Sequence, residues 1–299
     1  MKEWFSMRLV SFELDGQRDW GIVRPELNLV CPSRLWLGED APKTLLQFIE
    51  LYHDRISNLV EPEPDDHWLK LEQVHIVAPI PNPVRNIICV GKNYKDHVSE
   101  MAKVGHSTET EISHPHFFTK ATNTVNGPYS KIYLHPEITS QVDYEGELAV
   151  VIGKRGINIP EEKAIDYVFG YTILNDITAR DLQKNHVQWF KGKSLDGFCP
   201  MGPWIVTKDE IGYPIELEIR TWVNGELRQH SNTKYMIFDI AKLISILSQG
   251  MTLEPGDILA TGTPSGVGMG FNPPKLLKPN DVVRIEIEKI GYIENEMYA

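Results

Sequence analysis

The sequence predicts an α+β fold whose core is a β-rich barrel or roll. Helical patterns are few and do not alternate regularly with strands, so a doubly wound parallel sheet is not expected. Apolar stretches typical of strands recur through the chain. They lie near 116–119, 131–134, 145–153, 169–177, 202–206, 215–223, 257–261 and 282–288.

A domain boundary is predicted near residue 80. The stretches 8–15 and 20–23 predict a hairpin around Asp15-Gly16. Prolines at positions 79, 81 and 83 later prevent regular structure. We therefore predict a small N-terminal α+β domain over residues 1–80 and a β-rich main domain over residues 81–299.

Four stretches have helical patterns. Residues 43–60 place apolar side chains on one helical face, and a short helix is expected after Tyr94, ending at Lys103. The stretches 161–168 and 236–248 are also helical in pattern. Asp239 is placed to begin the last of them.

Composition narrows the classes of function. The chain has 299 residues, of which 41% are hydrophobic, enough for one large core. The 30 basic and 41 acidic residues give a net charge of −11, which disfavours nucleic acid and anionic membranes as partners. The scattered Cys31, Cys89 and Cys199 argue against a disulfide framework or a zinc site. Without a signal-peptide pattern or a membrane-length apolar run, a cytoplasmic location is expected.

Three acidic side chains predict a metal site. Glu145 and Glu147 lie two residues apart in a stretch predicted to be a strand, so they point to one face. Asp176 ends a second apolar stretch. Partly buried carboxylates repel each other unless protons or a cation compensate. Three oxygen ligands suit Mg²⁺ or Mn²⁺, with positions left for water and substrate. The alternative is an exposed acidic strand face.

A histidine and a glutamate form a candidate base. His97 and Glu100 are three apart in a predicted helix and therefore neighbours on its surface. A carboxylate beside an imidazole fixes the ring tautomer and raises its basicity, so His97 is a candidate to deprotonate water. The alternative is an ordinary surface pair.

Basic and amide side chains follow the third acidic residue. If the chain turns helical after Asp176, Arg180 and Gln183 share one face, and the forked guanidinium suits a substrate carboxylate. The alternative is a salt bridge from Asp176 to Arg180. Lys193 follows what reads as an aromatic strand end and could steady an enolate, although exposed lysines are common.

A glycine-rich loop over residues 260–270 has no nucleotide motif. It lacks Gly-Lys-Ser/Thr, and prolines prevent a helix from following it. Its backbone amides can hold a carboxylate. The alternative is a tight connector.

Together these segments resemble the fumarylacetoacetate hydrolase family, in the family's order and over about residues 80–290. Lys120-Ala121 departs from the Lys-Pro of many members. The matching segments are Gly91–Glu100, Asp143–Glu147, Asn175–Gln183, Gly192–Ser194, Asn224–Glu226 and Thr261–Gly268.

The resemblance implies a mixed β-roll catalytic domain, a homodimer, and Mg²⁺ or Mn²⁺ held by Glu145, Glu147 and Asp176. It implies that His97 and Glu100 lie on a lid and form a water-activating dyad. Lys193 is implied as a further catalytic residue. The substrate contacts implied by the resemblance are Arg180, Gln183, Thr263, Lys92 and Tyr94.

The resemblance also implies an enzyme acting on 2-oxo acids. The predicted function is metal-dependent hydrolysis of a C–C bond in a 2,4-dioxo acid of the acylpyruvate or fumarylpyruvate type, through an enolate. The alternatives on the same site are oxaloacetate decarboxylation and isomerisation or decarboxylation of a 2-hydroxymuconate-type diacid. A non-enzymatic metabolite-binding or scaffold protein is a further alternative.

Overall fold

The computed structural model describes residues 7–105 and 111–299. The first strands are β1 (Arg8–Leu14), β2 (Gln17–Arg24), β3 (Leu29–Pro32), β4 (Leu69–Lys70) and β5 (His75–Ile76). The next are β6 (Ile87–Gly91), β7 (His116–Lys120), β8 (Val125–Asn126), β9 (Ile132–Tyr133), β10 (Val142–Asp143), β11 (Gly146–Ile152), β12 (Val168–Asn175), β13 (Thr178–Ala179) and β14 (Cys199–Thr207). The last are β15 (Glu218–Val223), β16 (Glu226–Asn232), β17 (Ile258–Ala260), β18 (Val282–Ile287) and β19 (Gly291–Tyr298).

The helices are short and lie between the strands. The α-helices are α1 (Ser33–Leu37), α2 (Leu45–Tyr52), α3 (Lys95–Lys103), α4 (Arg180–Asn185), α5 (Phe190–Lys193), α6 (Lys208–Ile211) and α7 (Ile240–Leu247). The 3₁₀ helices are Pro25–Leu27, His53–Asn58, Leu71–Gln73, Thr122–Thr124, Glu161–Tyr167, Thr233–Tyr235 and Gly268–Gly270.

Two mixed sheets make up most of the molecule. In the described residues the larger has twelve strands, ordered β4-β3-β2-β1-β14-β12-β11-β17-β6-β7, with β5 on β1 and β8 on β14. The smaller is ordered β16-β15-β18-β19-β9. Most pairs are antiparallel, but β17 runs parallel to β6. The predicted α+β class with a mixed β-roll core is confirmed, and the sheets do not need to close into a barrel.

Strand β11 lies at the centre and is buried on both faces. Leu148 and Val150 join the core shared with Ile219 of the smaller sheet. Ala149 and Val151 point the other way, into a second core. This alternation follows from the two-residue period of a strand.

Residues 7–80 extend the larger sheet. Strand β1 pairs with β14, with Leu9 opposite Ile205. The second core combines Trp20 and Phe48 from this region with Phe169 from the main region. The sheet therefore runs across residue 80, and two separate domains stay a prediction.

Local signals explain several elements. The hairpin β1–β2 turns at Asp15 and Gly16, whose φ angles of 50° and 76° fit the tight hairpin turn predicted there. Asp239 begins α7 and accepts a hydrogen bond from the amide of Lys242. The predicted strand end before Lys193 is wrong, because Phe190–Lys193 is the short helix α5.

The three cysteines are free and buried. Burial raises the pKa of the Cys199 thiol to about 12. Among the described residues, no helix combines the length and the apolar character needed to cross a membrane.

Candidate metal centre and active site

The three predicted metal ligands meet where β11 and β12 pair. Gly146 lies opposite Asn175, which places Glu145 and Glu147 on either side of this pair and Asp176 directly beyond it. Two hydrogen bonds close the corner: the Asp176 amide donates to the Glu145 carbonyl at 2.9 Å, and the Glu145 amide donates to the Asn175 side chain at 3.0 Å. One ligand oxygen from each of the three acidic groups lies within 4.8 Å of the others. All three side chains are buried, so the exposed-face alternative does not hold.

Two lysines and an arginine compensate the negative charge of two of these carboxylates, Glu145 and Asp176. Lys193 Nζ lies 2.7 Å from Oε2 of Glu145 and 2.7 Å from Oδ2 of Asp176. Lys120 Nζ lies 2.7 Å from Oδ1 of Asp176. Arg180 Nη1 lies 2.7 Å from Oε1 of Glu145. Both lysines are almost completely inaccessible to solvent, so they serve the site rather than the surface.

Glu147 is compensated differently from its neighbours. Its Oε2 accepts a hydrogen bond from the Gly262 amide at 2.8 Å. Within residues 7–105 and 111–299, no lysine or arginine forms an ion pair with it. Burial, and then repulsion from Asp176 and Glu145, raises the pKa of Glu147 well above its usual range.

The neighbouring Glu145 is held as an anion. Burial alone would raise its pKa, but the charges of Lys193 and Arg180 outweigh burial and lower the pKa to about 2. A buried oxygen cluster with one uncompensated acid fits a hard divalent cation, which replaces the proton on that acid. The residues present therefore fit Mg²⁺ or Mn²⁺ held by Glu145, Glu147 and Asp176.

Arg180 does not form the salt bridge to Asp176 that the sequence left open. It begins α4, and its guanidinium pairs with Asp143 and Glu145. Its Nη1 also donates to Oε1 of Gln183 at 3.2 Å, one helical turn later. The predicted helix after Asp176 is therefore present, and Arg180 and Gln183 share one face of it.

The structure brings His97 and Glu100 together on α3. His97 Nδ1 lies 3.1 Å from Oε2 of Glu100, and the histidine is only 6% exposed. The other oxygen of Glu100 accepts a hydrogen bond from the Gly266 amide at 2.9 Å. An Nδ1–H donated to Glu100 leaves Nε2 as the basic nitrogen.

The glycine-rich loop holds carboxylates of this chain. Besides Glu147 and Glu100, its amides bind Asp143: Gly268 donates at 2.7 Å and Met269 at 3.0 Å. At Gly268 a side-chain carbon would lie 2.6 Å from Oδ1 of Asp143, so only glycine lets the acid approach. Strands β10 and β11 and helix α3 are thereby each bonded to the glycine-rich loop.

The site opens into a cavity of about 180 Å³. Its polar lining includes Glu145, Glu147, Arg180, Gln183 and Thr263. His97, Lys92 and Lys184 also line it, as do the apolar residues Val90, Met101, Phe118 and Trp189. A cavity of this size suits a small organic acid.

Three of the predicted site residues do not line the cavity. Tyr94 does not line the cavity, and its buried hydroxyl has no partner among the described residues. Lys193 and Asp176 also lie outside the cavity lining. Lys193 is buried and contacts the carboxylates of Glu145 and Asp176. Thr263 donates to the Gly146 carbonyl at 3.0 Å and accepts from Gln229 at 2.8 Å.

Sequence reasoning assigned no role to several residues of this site. Lys120 follows an aromatic strand, and the departure Lys120-Ala121 was its only signal. Asp143 lies in the same acidic segment as Glu145, and its charge beside an apolar strand was the available signal. Phe118, Trp189 and Lys184 have no pattern that separates them from ordinary core or surface residues.

Comparison with known proteins gives consistent matches. A family model described as fumarylacetoacetate (FAA) hydrolase C-terminal matches residues 86–298. The chain is 57% identical over 228 residues to the oxaloacetate tautomerase YisK of Bacillus subtilis (strain 168), covering 76% of this chain and 74% of that protein.

Solved structures match over nearly the whole chain. A fumarylacetoacetate hydrolase from the psychrophile Exiguobacterium antarcticum has a TM-score of 0.83 and 43% identity, covering 98% of this chain and 99% of that one. A 2-hydroxyhepta-2,4-diene-1,7-dioate isomerase from Mycobacterium marinum has a TM-score of 0.73 and 32% identity, covering 98% of each chain.

Proposed function

The chain belongs to the fumarylacetoacetate hydrolase family of enzymes, and from this premise we propose that it interconverts the keto and enol forms of oxaloacetate or a closely similar 2-oxo diacid. The observation that carries the proposal is that Glu145 and Glu147 of the carboxylate triad line the same small cavity as His97 of the dyad. The relative YisK, named an oxaloacetate tautomerase, supports the choice of substrate.

Glu145, Glu147 and Asp176 would hold Mg²⁺ or Mn²⁺. When bound, such an ion supplies a Lewis acid that makes the carbon beside the 2-oxo group more acidic. Gln183 and Lys92 lie along the cavity and bind the carboxylates of the substrate, and the buried Arg180 adds positive charge to the cavity wall. The apolar Phe118 and Trp189 limit the water that reaches the reacting carbon.

His97 moves the proton. Its Nε2 removes a proton from the carbon beside the 2-oxo group, and the C–H electron pair becomes the new C=C bond while the oxygen gains negative charge. Glu100 stabilises the imidazolium formed. The Lys193 ammonium does not line the cavity, but its positive charge beside Glu145 and Asp176 favours the negative charge that develops on the substrate. Return of the proton to that oxygen gives the enol and restores the dyad.

Hydrolysis of a C–C bond in a 2,4-dioxo acid is a second candidate. The 43% identical structure titled a fumarylacetoacetate hydrolase favours it. The same dyad would then deprotonate a water molecule that attacks the distal carbonyl. Decarboxylation of oxaloacetate needs no attacking water and is the outcome if the leaving group is carbon dioxide.

A substrate panel separates these reactions. Purified protein with Mg²⁺ or Mn²⁺ is mixed with oxaloacetate, and the enol absorbance and pyruvate release are followed in the same sample. Acetylpyruvate and fumarylpyruvate are tested in parallel for hydrolysis. Accelerated enolisation without pyruvate release is expected. Binding of all three acids with no turnover would instead favour the non-enzymatic alternative.

The expected homodimer is also a proposal. It rests on the family resemblance, and light scattering on the purified protein would measure it directly.

A further inference from the structure

Asp143 is a completely buried carboxylate that does not line the cavity. Its Oδ2 lies 2.9 Å from Nε and 2.8 Å from Nη2 of Arg180. Its oxygens also accept hydrogen bonds from the amides of Gly268, Met269 and Tyr144. A carboxylate with this many donors is held firmly in one position.

Arg180 connects this acid to the metal site. One edge of the guanidinium, Nε and Nη2, faces Asp143. The third nitrogen, Nη1, lies 2.7 Å from Oε1 of Glu145, an oxygen of the triad. The same cation is thus shared between a carboxylate outside the cavity and a carboxylate that would bind a metal.

This sharing has an electrostatic consequence. Without the charge of Asp143, Glu145 would be the only acidic partner of Arg180 among the described residues. In a buried site the guanidinium would then bind Glu145 more strongly and repel a divalent cation. With Asp143 present, part of the arginine charge is compensated by a carboxylate that does not line the cavity.

We propose that Asp143 is a positioning residue that balances the charge of Arg180 and thereby leaves Glu145 able to bind a divalent cation. The inference rests on the metal site of the proposed function, but not on which reaction that site performs. Asp143 is not one of the three clustered acidic residues and does not line the cavity, so it acts through Arg180. The hydrogen bonds that Asp143 accepts from Gly268 and Met269 fix its position, and therefore that of the paired arginine, relative to the glycine-rich loop.

The test is the affinity of the purified protein for Mn²⁺ alone, measured by calorimetry without substrate. Asp143→Asn keeps the shape of the side chain and removes its charge. We expect Mn²⁺ affinity to fall by roughly 10- to 100-fold. The matched control is Asp257→Asn, which removes another buried carboxylate that pairs with Arg85 away from this site. Its thermal stability should fall, but its Mn²⁺ affinity should stay that of the wild type.

A double variant distinguishes the proposed charge balance from a purely structural role in which Asp143 only holds Arg180 in place. Asp143→Asn combined with Arg180→Gln removes both charges together. We expect its Mn²⁺ affinity to return to within about threefold of the wild type. This variant also serves if Asp143→Asn alone fails to fold, because it leaves no unpaired buried charge.

The outcomes are distinct. Wild-type affinity in Asp143→Asn, or weak binding in a folded double variant, overturns the proposal. Absence of Mn²⁺ binding in the wild type overturns the metal site itself, and the inference with it. Metal binding that follows the expected order supports the inference even if oxaloacetate is not the substrate.

Discussion

Lys193 and Glu145 form a buried ion pair, with Nζ 2.7 Å from Oε2. Burial opposes the charge on the lysine, but attraction from Asp176 and Glu145 outweighs burial and raises its pKa. The ammonium therefore remains charged beside the predicted metal ligands, where it stabilises anionic oxygens.

Replacing this lysine should separate catalysis from metal binding. In Lys193→Met the carboxylates lose one competing cation, so Mn²⁺ affinity should be unchanged or tighter. Turnover should fall by about 10²- to 10³-fold, because the charge that stabilises the enolate is gone. Calorimetry and steady-state kinetics measure the two effects. The neighbouring exposed Lys191→Met is the control, and a large loss of metal affinity in Lys193→Met would contradict the prediction.

Glu147→Ala should abolish both metal binding and turnover. This residue is the acid of the triad without a lysine or arginine partner in the described residues, so its main electrostatic partner would be the bound cation. Calorimetry with Mn²⁺ and the oxaloacetate assay measure the outcome, with exposed Glu162→Ala as control. Full activity in the metal-stripped variant would remove the metal hypothesis.

His97→Ala should spare metal binding but lower turnover by about 10²- to 10⁴-fold. The imidazole contacts Glu100 and lines the cavity, and it is not among the carboxylate ligands. Glu100→Gln should give a smaller loss, because the amide still bonds to the ring. Unchanged turnover in His97→Ala would show that the dyad assignment is wrong.

Lys120→Met should destabilise the protein, and a divalent cation should restore part of the loss. Lys120 and Lys193 both contact Asp176, and removing one partner of a buried ion pair costs about 3–5 kcal/mol. Thermal unfolding with EDTA and with Mn²⁺ measures both effects. If the variant gains no more from Mn²⁺ than the wild type does, Asp176 is not the shared partner.

Stability should decrease below neutral pH partly because of His53. Its Nε2 bonds to the Asp166 carbonyl at 2.8 Å, and burial lowers its pKa. In the unfolded chain the imidazole binds a proton as pH falls through about 6.5. In the folded chain it binds one only at lower pH, so stability is lost on the acid side. Denaturant unfolding between about pH 5 and pH 7.5 should show a shallower decrease for His53→Gln than for the wild type. Equal slopes would exclude this contribution.

Patterns local in sequence predicted much of the fold and the site. The hairpin at Asp15-Gly16, the Asp239 cap and the dyad of His97 and Glu100 each depend on residues a few positions apart. The neighbouring positions of Glu145 and Glu147 follow from strand geometry alone.

Contacts between distant segments were not predictable in this way. Arg180 could pair with Asp176 by helical spacing, but Asp143 and Glu145 lie closer in space. Strand β16 was missed because its residues are mostly polar and only one of the seven is buried. Strand β19 was missed because Asn295 occupies a buried position and breaks the apolar alternation.

The pairing of β1 with β14 decides what a shortened chain would be. A fragment beginning at residue 81 would lose Leu9 from its place opposite Ile205 and expose hydrogen-bonding groups at the end of β14, a strand that is otherwise wholly buried. Such an edge invites pairing with other chains. Expression of the family-matched region alone should therefore yield aggregates. The N-terminal segment protects the larger sheet from such pairing because β1 covers this edge of β14.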